Sequence, residues 1–238
     1  MKLNEQDALP LYKQLVQAVS EGIRKGQYPE GSRLPSEQEL SELYGVSRIT
    51  VRAALKELAA DGLVVRRQGK GTYVGRVKLR RDLAMATSFS DACREQGRVP
   101  GAKMLYAGYE NATEADIRDM QLEEGARVVC LRRLRYADGV PISVEEDRFP
   151  ERYNFLLDED LTDRSLLETL ETKYGIKFYV THRTIELVYA SHSTARLLNC
   201  SVKTPLMYIV STGCEIATDL PGPRSLQYIL GENFKLYI

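Results

Sequence analysis

Apolar residues recur at helical spacing through the first quarter of the chain. Three sets of them each predict a helix: Leu11, Leu15, Val19 and Ile23; Leu40 and Leu43; and Val51, Ala54, Leu55 and Leu58. The second helix is expected to begin at Ser36, because Ser36 and Glu39 have the spacing of a capping box, and to end at Gly45. Ser47 is a good N-cap for the third helix, and Gly62 ends it. The pattern therefore predicts a longer first helix and then two short helices joined by a tight turn.

After Gly62 the pattern becomes that of a β-hairpin. Two β-rich runs, residues 63–67 and 72–74, flank a glycine-rich tip at residues 68–71. A hairpin beside a helix-turn-helix is a wing, and its tip can lie in the minor groove or on the phosphate backbone of DNA. Gly69 would let the backbone approach DNA closely.

Two arginines lie near the N-terminus of the third helix, the end that a recognition helix presents to base edges. Arg48 and Arg52 are one turn apart, and arginine suits guanine O6 and N7. Thr50 and Ser47 are candidates for phosphate contacts, although Ser47 is already needed as a cap. The alternative is that the two arginines only decorate a solvated helix face.

The charge distribution favours DNA binding, although the net charge alone argues against it. The 33 Lys and Arg residues equal the 33 Asp and Glu residues. Up to Arg81, however, there are 15 basic and 9 acidic residues, and the remainder carries the opposite excess. From Arg48 to Arg81, ten basic residues accompany two acidic ones, which is the footprint that phosphate binding needs. We interpret residues 76–81 as an interdomain connector near DNA; the alternative is a solvated last strand of the wing.

The rest of the chain reads as strands interspersed with short helices. Strands are expected at residues 101–109, 126–136, 140–149, 181–190, 206–215 and 226–236, and helices at 89–96, 113–120, 165–174 and 193–198. Asp138 and Gly139 predict a hairpin turn between the second and third strands. The predicted fold class is therefore α+β, with antiparallel strands in the second domain.

Length and composition bound the remaining possibilities. The chain has 238 residues, 43% of them hydrophobic and 28% charged, which suffices for two domains. No apolar run approaches a membrane span, and residues 1–7 are polar without a signal-peptide core, so we expect a cytoplasmic protein that is nucleoid-associated when bound to DNA. The four cysteines form no C-x-x-C pair and are expected to be reduced, buried thiols. Because there are only two histidines, we expect no metal site and no cofactor.

The stretch from Pro10 to Val74 resembles the winged-helix domain of GntR-type transcriptional regulators. The residues that carry the resemblance are Pro10-Leu11-Tyr12, Gln14-Leu15, Leu34-Pro35-Ser36-Glu37, Val46-Ser47-Arg48, Thr50-Val51-Arg52, Ala54-Leu55 and Gln68-Gly69-Lys70-Gly71-Thr72. The resemblance implies that Arg48 and Arg52 read bases and that Gly69 sits in the minor groove, with Lys70 among the DNA-binding residues. Gln38 stands where a third arginine often falls, and glutamine can pair with adenine or a phosphate.

The second half resembles the UTRA effector-binding domain of the HutC-like branch of these regulators, whose fold is similar to chorismate lyase. The matching residues are Arg133-Leu134-Arg135, Ala137-Asp138-Gly139, Pro141-Ile142-Ser143-Val144-Glu145, Ser165-Leu166, Tyr174-Gly175-Ile176, Pro205-Leu206, Tyr228 and Gly231. Together the two resemblances cover nearly the whole chain.

The second resemblance implies a set of effector-binding residues. By the family's sites for phosphorylated sugars, they are Ser88, Phe89, Arg133, Arg135, Glu145, Ser165 and Tyr228. Arg133 and Arg135 alternate onto one face of a strand, where two guanidinium groups can grip a phosphate or carboxylate. The alternative is that they pair with Glu145 and Asp147 as structure. Leu167 and Arg224 depart from the family pattern, so the ligand class stays open.

These observations predict a winged helix-turn-helix at residues 1–75, a linker at 76–82 and an effector-binding and dimerisation domain at 83–238. The expected function is a transcriptional regulator, most often a repressor in this family. It would bind a palindromic double-stranded operator as a homodimer and respond to a small anionic effector, for which a sugar phosphate is one candidate. Two alternatives remain: an effector-independent dimeric DNA binder, or a lyase-like enzyme that uses acids such as Glu145. The sequence shows no nucleophile paired with a general base beside those acids, so no catalytic residue is predicted.

Overall fold

The computed structural model describes residues 3–4, 8–67, 69–75, 78–83 and 88–237. The chain forms two compact units, residues 1–78 and 79–238. Gln68 of the wing motif and residues 76–77 of the predicted connector lie outside the described residues. Among the described helices, none combines the length and apolar character needed to cross a bilayer.

The first unit contains three helices and a two-stranded sheet: α1 (Leu11–Arg24), α2 (Glu37–Tyr44), α3 (Arg48–Ala60), β1 (Val64–Arg67) and β2 (Gly71–Val74). The described helices and strands of the second unit are β3 (Leu79–Asp82), α4 (Phe89–Glu95), β4 (Pro100–Asn111), α5 (Glu114–Met120), β5 (Arg127–Ala137), β6 (Val140–Pro150), α6 (Leu166–Tyr174), β7 (Phe178–Tyr189), α7 (His192–Leu198), β8 (Pro205–Glu215), β9 (Pro221–Leu230) and β10 (Phe234–Tyr237), with 3₁₀ turns at Glu151–Asp158 and Gly231–Asn233.

The boundaries of α2 follow from the capping box that the sequence predicts. Ser36 Oγ accepts a hydrogen bond from the Glu39 amide at 3.2 Å, and the Glu39 carboxylate accepts one from the Ser36 amide at 2.7 Å. Gly45 ends the helix in the left-handed region at φ 71°. Leu40 is fully buried, but Leu43 is 47% exposed, so its expected burial is wrong. Tyr44, one turn after Leu40, packs in the core instead.

The three helices and the hairpin share one apolar core. Leu15 and Val19 of α1 pack with Val51, Leu55 and other buried residues of α3, in the helical spacing read from the sequence. β1 and β2 are antiparallel, and Val64 and Val74 anchor the base of the hairpin in this core. The wing is therefore fixed at its base, while its tip projects beyond the core.

A six-stranded antiparallel sheet in the order β4-β5-β6-β9-β8-β7 dominates the second unit. Side chains of directly paired residues lie on the same face of a sheet. One face therefore carries the paired residues of β5, β6, β9 and β8, which are Arg133, Glu145, Gln227 and Ile209. That face also carries Leu131 and Phe149, which pack against α6 and the Glu151–Asp158 turn. The opposite face packs against α5 and α7.

Residues 79–82 are a strand rather than part of a linker. β3 pairs in parallel with β10 to form a two-stranded sheet, with Leu79 opposite Phe234. Leu79 is fully buried among the apolar residues of the second unit, which explains why this basic run is not a solvated connector. The strand expected at 226–236 is broken by the Gly231–Asn233 turn, after which the chain leaves the large sheet to pair with β3.

All four cysteines, which lie within the described residues, are free thiols. Cys93 and Cys130 are buried, as expected, whereas Cys200 and Cys214 are only partly buried. Burial raises the pKa of Cys93 to about 11 and that of Cys130 to about 12. The two buried thiols therefore stay protonated at neutral pH.

Buried ion pairs attach α5 to the large sheet. Asp116 is fully buried and accepts hydrogen bonds from the Thr113 amide at 2.9 Å and from Arg148 Nε at 2.8 Å. Arg224 of β9 lies 3.5 Å from its other oxygen. One carboxylate thus caps α5 and joins it to β6 and β9.

Replacing Asp116 with alanine should destabilise the second unit. The change removes one half of the capping box and leaves the buried Arg148 without one of its acceptors, for an expected loss of about 3 kcal/mol in the free energy of unfolding. Urea denaturation followed by circular dichroism measures this loss. Glu114→Ala, at an exposed position of the same helix, is the matched control and should change stability by less than about 0.5 kcal/mol. Equal stability of the two variants would show that these ion pairs do not hold α5.

Candidate functional site

Acceptors on α2 hold the two arginines of α3. Arg48 Nη2 donates to Gln38 Oε1 at 2.9 Å, and Arg52 Nε donates to Glu37 Oε2 at 2.7 Å. Arg66 of the wing donates to the other Glu37 oxygen at 2.7 Å, so Glu37 connects α3 to the wing. The Arg52 side chain is 64% exposed, and an exposed ion pair contributes at most about 1 kcal/mol. Arg52 can therefore exchange Glu37 for a base at little cost.

The other residues predicted to contact DNA lie at the start of α3 and at the wing tip. Ser47 caps α3 by accepting from the Thr50 amide at 3.1 Å, and the two hydroxyl groups lie 2.9 Å apart. Gly69 and Lys70 are exposed in the turn between β1 and β2, and Gly69 has φ 71°. That backbone conformation is one that glycine adopts without strain. Gln38, which is also among the predicted DNA-binding residues, accepts the hydrogen bond from Arg48.

The second unit contains a cavity of about 330 Å³ on the face of the sheet that carries Arg133. This volume is at the lower end of the range for small-molecule sites. Six of the seven predicted effector-binding residues line it: Ser88, Phe89, Arg133, Arg135, Glu145 and Ser165. Chain elements that are distant in sequence therefore bring these side chains together.

Arg133 and Arg135 are almost fully buried at the cavity. Arg133 Nη2 donates to Asp147 at 3.0 Å and to Glu145 at 3.3 Å. Arg135 Nη2 donates to Ser90 Oγ at 2.9 Å, and its guanidinium lies 4.6 Å from the centre of the Phe89 ring. Within the described structure, Arg133 Nε, Arg133 Nη1 and Arg135 Nε have no hydrogen-bond partner. The pairing across the hairpin that was considered as an alternative is therefore present: Arg133 pairs with both acids, and Arg135 Nε lies 3.8 Å from Glu145. It still leaves buried donors without a hydrogen bond.

The charges of this cavity are only partly compensated. Burial lowers the pKa of Arg135 to about 10, with the Glu145 charge opposing the shift. Burial likewise lowers the pKa of Arg81, and the pKa of Arg183 is lowered by burial and by the nearby Arg81 charge. A bound anion would raise these pKa values again, because a negative charge favours the protonated form of each guanidinium group.

Ser88 and Ser165 reach the cavity because each caps a helix that starts there. Ser88 Oγ accepts from the Asp91 amide at 3.1 Å and donates to the Asp91 carboxylate at 2.6 Å. Ser165 Oγ accepts from the Glu168 amide at 3.3 Å. Capping thus orients both hydroxyl groups, and Phe89, the first residue of α4, follows Ser88 into the site.

Tyr228 does not reach the cavity, which corrects the prediction that it lines the site. Its cross-strand partners are Val144 and Tyr208, so it lies on the opposite face from Gln227, the residue that does line the cavity. The Tyr208 and Tyr228 rings stack there with centres 4.7 Å apart. Arg224 also belongs to that opposite face, where it pairs with Asp119 at 3.1 Å.

Several polar residues that line the cavity were not predicted to bind the effector, among them Arg81, Asp147, Arg183 and Gln227. Ser90, which accepts a hydrogen bond from Arg135, was not predicted either. Arg81 lay in the basic run that we interpreted as a connector. Arg183 and Gln227 lie on strands whose facing depends on register. The alternation of β9 could have suggested Gln227, but only the pairing with β6 determines which set of side chains faces the site.

Comparison with known proteins relates both units to described families. The sequence matches the model for bacterial regulatory proteins of the gntR family over residues 11–74. It matches the UTRA domain over residues 95–220. The two matches fall in the two structural units, one in each.

Individual relatives match along most of their length. The chain is 33% identical to the uncharacterized HTH-type transcriptional regulator YurK of Bacillus subtilis, covering 88% of this chain and 87% of YurK. It is 27% identical to the HTH-type transcriptional repressor NagR of the same organism, covering 89% and 87%. The crystal structure of PhnF from Mycobacterium smegmatis matches with a TM-score of 0.83 and 29% identity, covering 93% of this chain and 97% of PhnF.

Proposed function

This chain belongs to the gntR family of bacterial regulatory proteins, in the HutC-like branch that carries a UTRA domain, and we propose that it is a repressor released from its operator by a small anionic effector. As a member of this family it is a DNA-binding transcriptional regulator. Our proposal concerns three further points: the sign of regulation, the charge of the effector and the residues that bind it. NagR, one of its relatives, is named a repressor.

The proposal of an anionic effector rests on one observation, namely that the arginines of the cavity are buried and have donors without partners. Five basic and three acidic residues line the described cavity, and the donors Arg133 Nε and Nη1 are buried without partners there. An unsatisfied buried donor costs about 1 to 3 kcal/mol, which a ligand acceptor would recover. A phosphate or carboxylate supplies such acceptors, and Glu145 is placed to accept hydrogen bonds from ligand hydroxyl groups.

We infer that the cavity binds its ligand without transforming it. Asp147, which would be a candidate acid or base, is held by Arg133 at 3.0 Å and by the Ser225 hydroxyl at 2.7 Å. Glu145 is within 3.3 Å of Arg133. Carboxylates fixed by such ion pairs are suited to orienting a ligand, and the resemblance to a lyase fold alone implies no chemistry. The site of action that we propose is DNA in the cytoplasm.

Exposed apolar side chains on β7, an edge strand of the six-stranded sheet, support a homodimer. Ile185, Leu187 and Tyr189 of β7 alternate onto one face and are 42%, 65% and 65% exposed. A second copy of this chain is the occupant that we propose, because a two-fold dimer would match the palindromic operator expected for this class.

Arg48→Ala and Arg52→Ala should each weaken operator binding. Each removes a base contact, for an expected loss of about 1 to 3 kcal/mol and relaxed base preference at one position per half-site. The operator can be obtained by selection from random duplexes, and fluorescence anisotropy measures the affinities. Lys25→Ala removes an equal charge directly after α1, where Lys25 pairs with Glu21, and should retain base preference. Unchanged affinity in both arginine variants would exclude α3 as the reading element.

Arg133→Ala should retain operator binding but abolish release by the effector. A thermal-shift screen of hexose phosphates, sugar acids and inorganic phosphate identifies the ligand, since a ligand that binds the folded state raises the melting temperature. Arg127→Ala is the control, because Arg127 is exposed on the same strand and pairs with Glu151. If Arg133→Ala unfolds or responds normally, the Arg133 ion pairs are structural. A wild-type chain that no compound stabilises would favour an effector-independent DNA binder.

Leu187→Asp should convert the dimer to monomers and weaken operator binding. A charge placed at the proposed interface would lose its hydration on association. Light scattering coupled to size exclusion measures the mass, which should fall to that of one 26.9 kDa chain. Val99→Asp introduces the same charge at an exposed apolar position before β4 and should leave the mass unchanged. A dimeric Leu187→Asp variant would place the interface elsewhere.

A further inference from the structure

Arg81 reaches the cavity from the first strand after the DNA-binding unit. It lies on β3, three residues beyond Lys78, where the first unit ends. Arg81 lines the cavity together with Arg133, Arg135 and Arg183. Its Nη1 donates to Gln227 Oε1 at 2.7 Å, across the face of the sheet. A side chain that begins beside the boundary between the units thus ends in the proposed effector site.

The charge around Arg81 is suited to an anion. Its hydrogen-bond acceptor, Gln227, is a neutral amide, and the nearest acids, Glu145 and Asp147, are already bound by Arg133. Arg183 lies close enough for its positive charge to repel that of Arg81. An anion of two negative charges between these guanidinium groups would relieve the repulsion and supply acceptors to both.

The strand that carries Arg81 lies outside the six-stranded sheet. Among the described residues, β3 pairs only with β10, over four residues, and a two-stranded sheet is marginal in isolation. Its other attachments are the buried Leu79, a bond from the Leu83 amide to the Tyr237 carbonyl at 2.8 Å, and a bond from Arg183 to the Leu83 carbonyl. The Gln96 side chain also accepts from the Arg80 amide at 2.8 Å and donates to the Arg80 carbonyl at 2.7 Å. Two cavity arginines, Arg81 and Arg183, are therefore tied directly to this segment. A ligand that changes their contacts would change the position or stability of β3.

We propose that Arg81 binds the anionic group of the effector together with Arg133 and Arg135, and that this contact couples occupancy of the cavity to the DNA-binding unit through β3. The inference rests on the proposed function. It specifies a dianion of the phosphate class as the recognised group, either free or attached to a sugar. A differential contact of this kind is what allows a ligand to shift the equilibrium between two states.

The test compares variants of the full chain at position 81 with inorganic phosphate and hexose 6-phosphates as probes, at constant ionic strength set with chloride. Calorimetry measures probe affinity, and fluorescence anisotropy measures affinity for a selected duplex with and without saturating probe. Arg81→Ala should lower probe affinity by roughly 10- to 100-fold, the size of a lost charge-assisted hydrogen bond. The dissociation constant of the duplex with saturating probe, divided by that without probe, should approach one for Arg81→Ala, whereas the wild type should show a ratio well above one.

Two further variants separate charge from packing. Arg81→Gln keeps a polar side chain but lacks the charge. It should behave as Arg81→Ala, because the proposed contact depends on that charge. Arg81→Lys should restore part of the probe affinity and part of the duplex ratio. Arg80→Ala removes the exposed basic neighbour on the same strand and is the matched control. Circular dichroism identifies any variant that does not fold, and the Gln and Lys variants then decide the question.

The outcomes distinguish this inference from the proposed function. If the wild type binds the probes and releases the duplex, Arg133→Ala does not, and Arg81→Ala matches the wild type, the role of Arg81 is overturned and the anionic effector stands. Weak probe binding by Arg81→Ala with full release at saturation would overturn the coupling through β3. If the wild type binds none of the anions, the anionic effector itself fails, and the inference fails with it.

Discussion

The structure of the second unit depends on the burial of Arg133 and Arg135 side by side on one strand. Placing two guanidinium groups two residues apart on a half-covered sheet carries a large desolvation cost, which ion pairs and hydrogen bonds must offset. Glu145 and Asp147 on the facing strand supply most of this compensation, and Ser90 supplies part for Arg135. The compensation is incomplete, because donors of both arginines remain without partners in the described structure. This imbalance is the basis of our proposal that the pocket binds an anion.

In the first unit, the two arginines that we propose to read bases are exposed, and their protein partners can be exchanged at little cost. Glu37 and Gln38, neighbours at the start of α2, hold Arg52 and Arg48 respectively. Such contacts restrict the rotamers of long side chains before DNA is bound, which lowers the entropy lost on binding. Gln38 is informative here. As a neutral acceptor it positions Arg48 without competing strongly for its charge, so a glutamine in place of a third arginine is consistent with a supporting role.

Much of this arrangement was predictable where the signal is local. The capping box at Ser36, the cap at Ser47 and the alternation that places Arg133 beside Arg135 are properties of a few neighbouring residues, and all appear in the structure. The errors concern long-range pairing. The register of β9 against β6 determines on which face of the sheet Tyr228 lies, and a shift of one residue would move every side chain of the strand to the other face. The pairing of β3 with β10 joins segments from opposite ends of the unit, so a basic run with one buried leucine at position 79 was interpreted as a linker.

The energetic scale of regulation fits the contacts that the cavity offers. A coupling of about 1 to 3 kcal/mol between two sites changes affinity several-fold to more than a hundredfold. One hydrogen bond to a charged group contributes about 1.5 to 3 kcal/mol. A single contact to Arg81 that exists only when the cavity is occupied is therefore sufficient in magnitude, provided that it biases β3 between two arrangements. The described part of β3 is held by four backbone pairs, by one fully buried leucine and by the Gln96 side chain, and a contact to Arg81 would act on the strand against these attachments.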